Sequence, residues 1–141
     1  MTVGNGATPT GNCPDTNLVL IVDDEEPNLR LLSRVLTRAG FRAAVATSGE
    51  QALSMLEGYR PDLILMDIRL GGMDGLEAIR RIKANPALAG IPVIAVSAYA
   101  MQEDFARAEE AGASGYVTKP FRMREIVEAV KMHISARKGR P

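Results

Sequence analysis

Five short apolar segments occur along this chain, separated by longer stretches of mixed character. Leu18–Val22 is a continuous apolar run, which is typical of a strand covered on both faces, whereas Ala43–Ala46 predicts a weaker strand and Gly115–Thr118 a short one. The hydrophobic pattern therefore predicts five strands, at Leu18–Val22, Ala43–Ala46, Leu63–Met66, Val93–Val96 and Gly115–Thr118.

Between these segments, apolar residues recur at intervals of three or four, which is the period of an amphipathic helix. Ser48 and Gln51 give a start signal for the second helix, and Asp74 can cap the third. Gly40 and Gly112 mark helix ends. Five helices are thus predicted, with apolar faces in Leu29–Leu36, Ala52–Leu56, Leu76–Ile82, Met101–Ala108 and Met123–Ile134.

The alternation of strands and helices predicts the fold class. Apolar strands separated by helices favour a parallel sheet with helices on both faces. We therefore expect an α/β protein with a doubly wound five-stranded parallel sheet flanked by five helices. In such sheets, functional sites lie beyond the carboxyl ends of the strands, at the point where the strand order reverses.

The two ends of the 141-residue chain differ in composition from its middle. Residues 1–17 are rich in Gly, Thr, Asn and Pro and have little to bury, which predicts a disordered lead. Residues 135–141 are basic and form a predicted C-terminal tail. The sequence thus predicts one domain over residues 18–134, with no output domain attached.

Charge and composition argue against several classes of protein. Seventeen basic and seventeen acidic residues give a net charge of +0, whereas direct nucleic-acid binders are usually clearly basic. The sequence has no signal-peptide pattern, and its longest uncharged run is broken by Pro86 and Pro92, which argues against a membrane span. With Cys13 as its single cysteine, the chain can form no internal disulfide. We expect a soluble cytoplasmic protein.

The predicted strands end in residues that carry charge or a hydroxyl group. Asp23 and Asp24 follow the first strand, Asp67 the third, Ser97 the fourth and Lys119 the fifth. Clustered carboxylates repel one another unless a cation intervenes, and Mg²⁺ suits a pocket of carboxylate, water and phosphate oxygens. These residue types indicate phosphoryl transfer onto an aspartate, assisted by Lys119 and Ser97, and leave open which aspartate is the acceptor.

The order and spacing of five motifs resemble the receiver domain of bacterial two-component response regulators. Asp67 follows Asp24 by 43 positions, Ser97 follows Asp67 by 30, and Lys119 follows Ser97 by 22. The resemblance covers residues 18–134 and implies a flavodoxin-like receiver fold, similar to the stand-alone subgroup. The motifs are Val22-Asp23-Asp24, residues 61–67, Met73-Asp74-Gly75, Val96-Ser97-Ala98 and Lys119-Pro120-Phe121.

This resemblance implies roles for the acidic residues. Asp67 corresponds to the phosphoacceptor, which takes its phosphoryl group from a histidine kinase or a phosphotransfer protein. Asp24 corresponds to a direct ligand of Mg²⁺, and Asp23 completes the acidic pocket. Arg69 corresponds to the position whose backbone carbonyl completes the metal shell.

The resemblance also implies a switch. Ser97 matches the hydroxyl residue that moves toward the phosphoryl group, and Tyr116 matches the aromatic residue that then turns inward. Lys119 matches the lysine of the site. The Lys119–Pro120 bond is expected to be cis, because a tight turn must direct the lysine inward.

Three positions next to the site bear on its behaviour. Gly71, followed by Gly72, stands where many family members have proline, which should give this loop more freedom. Arg69 and Tyr99 are bulky and each lies two residues past a site residue. Our hypothesis is that they shield the acyl phosphate from water and slow its loss.

Rival functions require residues that differ from those present. A haloacid-dehalogenase-like phosphatase needs a second aspartate two residues after its nucleophile, where this chain has Arg69. A flavodoxin-like cofactor binder needs a small phosphate-binding loop after the first strand, where residues 23–26 are all acidic. A phosphorylation-independent interaction module should have lost an acid or the lysine. That module is retained as the alternative function, and a Mg²⁺-dependent phosphohydrolase is a less favoured second alternative.

The sequence thus predicts a single-domain response regulator, a signalling protein that catalyses only its own phosphotransfer and dephosphorylation. Its expected partners are a sensor kinase or phosphotransfer protein and a downstream target protein. Output is expected through the face formed by the fourth helix, fifth strand and fifth helix. The chain is expected to be a monomer or a phosphorylation-linked dimer, with no contact to nucleic acid or membrane.

Overall fold

Strands and helices alternate along the chain as the hydrophobic pattern predicts. The computed structural model describes residues 17–58, 60–69, 74–98 and 102–138, so Gly71, Gly72 and Tyr99 lie outside the described residues. The elements are β1 (Leu18–Val22), α1 (Glu26–Arg38), β2 (Arg42–Ala46), α2 (Gly49–Met55), β3 (Leu63–Asp67), α3 (Gly75–Ala84), β4 (Val93–Ser97), α4 (Gln102–Ala111), β5 (Gly115–Thr118) and α5 (Met123–Lys138).

The five strands form one parallel sheet in the order β2-β1-β3-β4-β5. The predicted fold class is therefore confirmed. The strand order reverses between β1 and β3, so the carboxyl ends of these two strands flank the point where sites form in sheets of this kind. Asp23 and Asp67 stand at those two ends.

The helices divide between the two faces of the sheet. Alternate strand residues such as Val19 and Ile21 pack against α1 and α5, whereas Leu20 and Val22 pack against α2, α3 and α4. All five residues of β1, β3 and β4 are buried, which explains why these strands read as continuous apolar runs. In the described part of the chain, every helix is too short or too polar to span a bilayer.

Local hydrogen bonds account for the predicted start of α2. The Ser48 hydroxyl accepts the backbone N–H of Gln51 at 3.0 Å, as a capping box requires. In a capping box, the Gln51 side chain would accept the backbone N–H of Ser48. Here its oxygen accepts the N–H of Thr47, one residue earlier, at 2.6 Å. The predicted start of α2 at Ser48 is therefore confirmed, and the reciprocal bond from Gln51 goes to Thr47, the residue before the cap.

The element boundaries differ from prediction in ways that matter for the site. β3 includes Asp67 and β4 includes Ser97, so the ladder itself holds both functional residues. α5 continues to Lys138, through the first part of the predicted tail. On α4, Ala108 is buried, but Phe105 is 47% exposed and does not anchor the helix in the core as its spacing suggested.

The start of α3 packs directly onto the end of β3. The N–H of Gly75 donates to the carbonyl oxygen of Ile68 at 3.0 Å. A β-carbon built on Gly75 would collide with the backbone oxygen of Asp67 and approach the Ile68 α-carbon to 2.7 Å. Glycine is therefore required here for close approach of two backbone segments.

We expect Gly75→Ala to lower the free energy of unfolding by about 1–3 kcal/mol, because backbone atoms must shift to admit the methyl group. Urea unfolding measures the change. The matched control is Gly90→Ala, where a β-carbon would meet nothing within 4 Å, and its effect should stay below about 0.5 kcal/mol. Equal losses in the two variants would contradict this account of Gly75.

Candidate functional site

The register of the sheet brings the predicted site residues to one edge. Val22 lies opposite Met66 in the β1–β3 pair, so Asp23 and Asp67, each one residue further along, are level. Ser97 lies opposite Thr118 in the β4–β5 pair, and the N–H of Lys119 donates to the Ser97 carbonyl at 2.7 Å. Each of these residues is thus positioned by strand pairing.

Three carboxylates gather at this edge. Asp23, Asp24 and Asp67 each present an oxygen within 4.8 Å of the others. Asp23 and Asp67 are buried, with 3% and 6% of their surfaces exposed, and Asp24 is exposed. Two carboxylates therefore lie in the protein interior and the third opens the group to solvent.

Lys119 supplies positive charge to the buried acids. Its Nζ lies 3.2 Å from Oδ2 of Asp67 and 3.6 Å from Oδ2 of Asp23. The Lys119–Pro120 peptide bond is cis, as the sequence led us to expect. The lysine thus reaches across the sheet edge from β5 to the ends of β3 and β1.

The two oxygens of Asp67 have different partners. Oδ1 accepts the backbone N–H of Arg69 at 3.0 Å, and Oδ2 accepts from Lys119. This N–H contact was not predicted, since backbone donors leave no signature in a sequence. The metal-binding role assigned to the Arg69 carbonyl stays a prediction.

Burial and charge act in opposite directions on Asp67. Burial raises its pKa above the ordinary value, and repulsion from Asp23 adds to that rise. The N–H of Arg69 and the charge of Lys119 lower the pKa but only partly offset the rise. The Asp67 carboxylate is therefore less stable as an anion than an exposed aspartate, which makes it dependent on nearby positive charge.

Burial and charge also act in opposite directions on the pKa of Lys119, and here the effect of charge is larger. Burial lowers the pKa of Lys119, but the combined attraction of Asp67, Asp23 and Glu25 outweighs it and raises the pKa above the ordinary lysine value. The ammonium therefore stays charged beside the carboxylates across the neutral pH range.

Asn28, which sequence reasoning did not single out, also contacts the acidic group. Its side-chain Nδ2 donates to Oδ2 of Asp23 at 3.3 Å and to Oε1 of Glu25 at 2.9 Å. The N–H of Glu25 in turn donates to Oδ1 of Asp23 at 2.9 Å. The available signal was the position of Asn28 in the first turn of the helix that follows the acids.

The two predicted switch residues lie further along the sheet. Ser97 is buried at the end of β4, with 1% of its surface exposed. Tyr116 is half-buried in β5 opposite Ala95, and its ring lies against that of Phe105, with centroids 4.3 Å apart. An aromatic contact thus connects Tyr116 to α4.

The carboxylate group fits a hard divalent cation. Three carboxylate oxygens lie close enough to share one ion, and Asp24 leaves the group accessible from solvent. Oxygen donors of this type suit Mg²⁺, which commonly keeps several waters and binds through one or two carboxylates. Asp23, Asp24 and Asp67 are therefore the residues that would hold it.

The raised pKa of Asp67 generates a prediction about stability. Between the unfolded and folded pKa values, the folded protein binds a proton at Asp67 that the unfolded chain releases, so stability falls as pH rises through this window. Asp67→Asn cannot ionise. We expect it to increase the free energy of unfolding at pH 7 in the absence of metal, and the gain to shrink as pH falls toward about 4, the pKa of an unperturbed aspartate.

Urea unfolding in EDTA across this pH range measures the effect. Asp74→Asn is the control, because Asp74 is exposed and asparagine can replace it as the helix cap. A lower stability of Asp67→Asn than of wild type at pH 7 would refute the expected penalty.

Comparisons with known proteins agree with this geometry. The profile of the response regulator receiver domain matches residues 19–131. The polar-differentiation response regulator DivK of Brucella ovis is 37% identical over 119 residues, which cover 84% of this chain and 97% of that relative.

Solved structures of receiver domains are also similar to this chain. The receiver domain of a signal transduction histidine kinase from Syntrophus aciditrophicus superposes with a TM-score of 0.83 at 31% identity, covering 89% of this chain and 96% of that one. A CheY-like receiver domain protein from Methanospirillum hungatei gives 0.82 at 28% identity, covering 87% and 97%. The chain belongs to the receiver-domain family of two-component response regulators.

Proposed function

We propose that Asp67 accepts a phosphoryl group from the phosphohistidine of a sensor kinase or phosphotransfer protein, and that the chain then signals by protein contact. The supporting observation is the position of the Asp67 carboxylate. It lies buried at a strand end, within 4.8 Å of two further carboxylates and 3.2 Å from an ammonium group. This combination suits a nucleophile whose target carries its own negative charge.

The proposed reaction transfers one phosphoryl group between two side chains. An oxygen of Asp67 attacks phosphorus, forming an O–P bond as the P–N bond to the donor imidazole breaks. The electron pair of the broken bond stays on the imidazole nitrogen. Water later attacks the acyl phosphate and releases inorganic phosphate, which returns Asp67 to its carboxylate form.

Residues around Asp67 supply the stabilisation that such a transfer needs. The Lys119 ammonium already lies beside Oδ2 of Asp67 and can pair with an oxygen of the incoming group. The Ser97 hydroxyl, at the end of the neighbouring strand, can donate to a second oxygen. Mg²⁺, when bound by Asp23, Asp24 and Asp67, would neutralise charge on the phosphoryl oxygens.

A groove beside the site suits a protein donor. It measures about 530 Å³ and extends from Asp23 and Lys119 over the apolar side chains of Leu31, Phe121 and Met123. Leu31 and Met123 are 43% and 39% exposed, although both are large and hydrophobic. Apolar surface next to a polar site favours contact with another protein.

The proposed output begins at Ser97. Movement of its hydroxyl toward the phosphoryl group would change the space available to Tyr116 on the adjacent strand. Tyr116 contacts Phe105 of α4, so a change at Tyr116 would bias the face formed by α4, β5 and α5. A target protein that binds one arrangement of that face more tightly would therefore respond to the phosphorylation state of Asp67.

Mass spectrometry after incubation with acetyl phosphate tests the acceptor. We expect the wild-type protein to gain one phosphoryl group in the presence of Mg²⁺ and none in EDTA, and Asp67→Asn to gain none. Asp74→Asn makes the same chemical change at an exposed helix cap and should label like wild type. Undiminished labelling of Asp67→Asn, or efficient labelling without metal, would refute the mechanism.

The shielding hypothesis for Arg69 is tested by following decay of the phosphorylated protein. The Arg69 side chain is exposed next to the acceptor, so its removal should open a path for water. We expect Arg69→Ala to shorten the phosphoryl lifetime severalfold, and the same change at Arg34, on the exposed side of α1, to leave it unchanged. An unchanged lifetime in Arg69→Ala removes the hypothesis for this residue.

A further inference from the structure

We infer that Asn28 is a positioning residue for the acidic site, whose side-chain amide fixes the carboxylate of Asp23. The inference rests on the proposed function, because it concerns how the same site binds its cation. The contacts that carry it join the first turn of α1 to the end of β1.

The orientation of the Asn28 amide follows from its partners. Both atoms that it meets, Oδ2 of Asp23 and Oε1 of Glu25, belong to carboxylates. An ionised carboxylate only accepts hydrogen bonds, so the NH₂ end of the amide must face both. Each of its two hydrogens thus has one acceptor, and the side chain bridges two acids that would otherwise repel each other.

The Asp23 carboxylate is held at both oxygens. Oδ1 accepts the N–H of Glu25 at 2.9 Å, whereas Oδ2 accepts from Asn28 and lies 3.6 Å from Lys119 Nζ. Among the described residues, the other group beside Oδ2 is the ammonium of the flexible Lys119 side chain, at the longer distance of 3.6 Å. The amide therefore acts together with the Glu25 N–H to fix the rotation of this buried carboxylate.

The donor itself is held on a rigid element. The backbone N–H of Asn28 donates to the Glu25 carbonyl at 3.1 Å, and proline occupies the position before it in the first turn of α1. Proline restricts the backbone at the start of a helix without the loss of an internal hydrogen bond. The amide thus approaches Asp23 from a backbone whose conformation is already set.

This arrangement predicts a role in cation affinity. Groups that hydrogen-bond to metal-binding side chains orient those side chains, and their removal typically weakens metal binding by 10–100-fold. Asn28→Leu keeps the size of the side chain but removes both donors. We expect the dissociation constant for Mg²⁺, measured by calorimetry or NMR titration of the unphosphorylated protein, to rise about tenfold or more.

The matched control is Asn85→Leu. Asn85 also makes a local hydrogen bond, accepting the N–H of Ala87 at 2.9 Å, but it ends α3 at the opposite edge of the sheet. Its replacement should lower thermal stability and leave Mg²⁺ affinity unchanged. Asn28→Ala serves as a second variant, and thermal unfolding of all variants shows whether each is folded.

A double-mutant cycle distinguishes positioning from a general effect on charge or packing. If Asn28 acts through Asp23, then Asn28→Leu should change Mg²⁺ affinity by less than about twofold when Asp23 is already asparagine. The titration is carried to high Mg²⁺ concentration so that weak binding is still measured.

The outcomes separate this inference from the proposed function. Wild-type protein that binds Mg²⁺ and labels at Asp67, together with an Asn28→Leu variant of unchanged affinity, overturns the role of Asn28 alone. A full loss of affinity that persists in the Asp23→Asn background also overturns it. Wild-type protein that binds no Mg²⁺ overturns both.

Discussion

The ion pairs of Lys119 with Asp67 and Asp23 are the interaction on which this site depends. Two carboxylates are buried at neighbouring strand ends, and one ammonium group lies within 3.6 Å of both. Burial of a charge is unfavourable unless an opposite charge compensates it. One lysine offsets only part of that cost, which is why the pKa of Asp67 remains raised. The site therefore favours any further positive charge, including a divalent cation.

The fold makes this grouping unavoidable. Parallel strands all direct their carboxyl ends to one edge, and strand pairing sets Asp67 level with Asp23 and next to Ser97. Helices on both faces cover the strands, whereas Asp24 at that edge remains exposed to solvent. The same hydrophobic layers that stabilise the domain thus keep the acids close together.

Most of the architecture could be predicted from the sequence, because apolar runs and helical spacing report burial directly. The strand-end rule also predicts that one edge of the sheet carries Asp23, Asp24, Asp67, Ser97 and Lys119. Contacts that depend on exact approach could not be predicted.

Two examples show why. Gly75 was visible as part of a motif, but only the structure shows that its missing β-carbon lets α3 reach the backbone of Asp67. Asn28 was missed because an asparagine in the first turn of a helix is common and its partner depends on side-chain rotation. The helical spacing of Phe105 predicts a core position, whereas the helix turns this side chain toward Tyr116 and solvent.

The hydrogen bonds that join α1 to Asp23 have a thermodynamic consequence for partners. A protein that binds α1 and changes the conformation of its first turn would also change the orientation of the Asp23 carboxylate. The affinity of the site for its cation would change as a result. By linkage, the cation must change the affinity for that protein by the same factor. Binding of a protein to α1 and binding of the cation to the acidic pocket would then be thermodynamically coupled. The coupling would pass through the Asn28 amide, which takes no part in the chemistry.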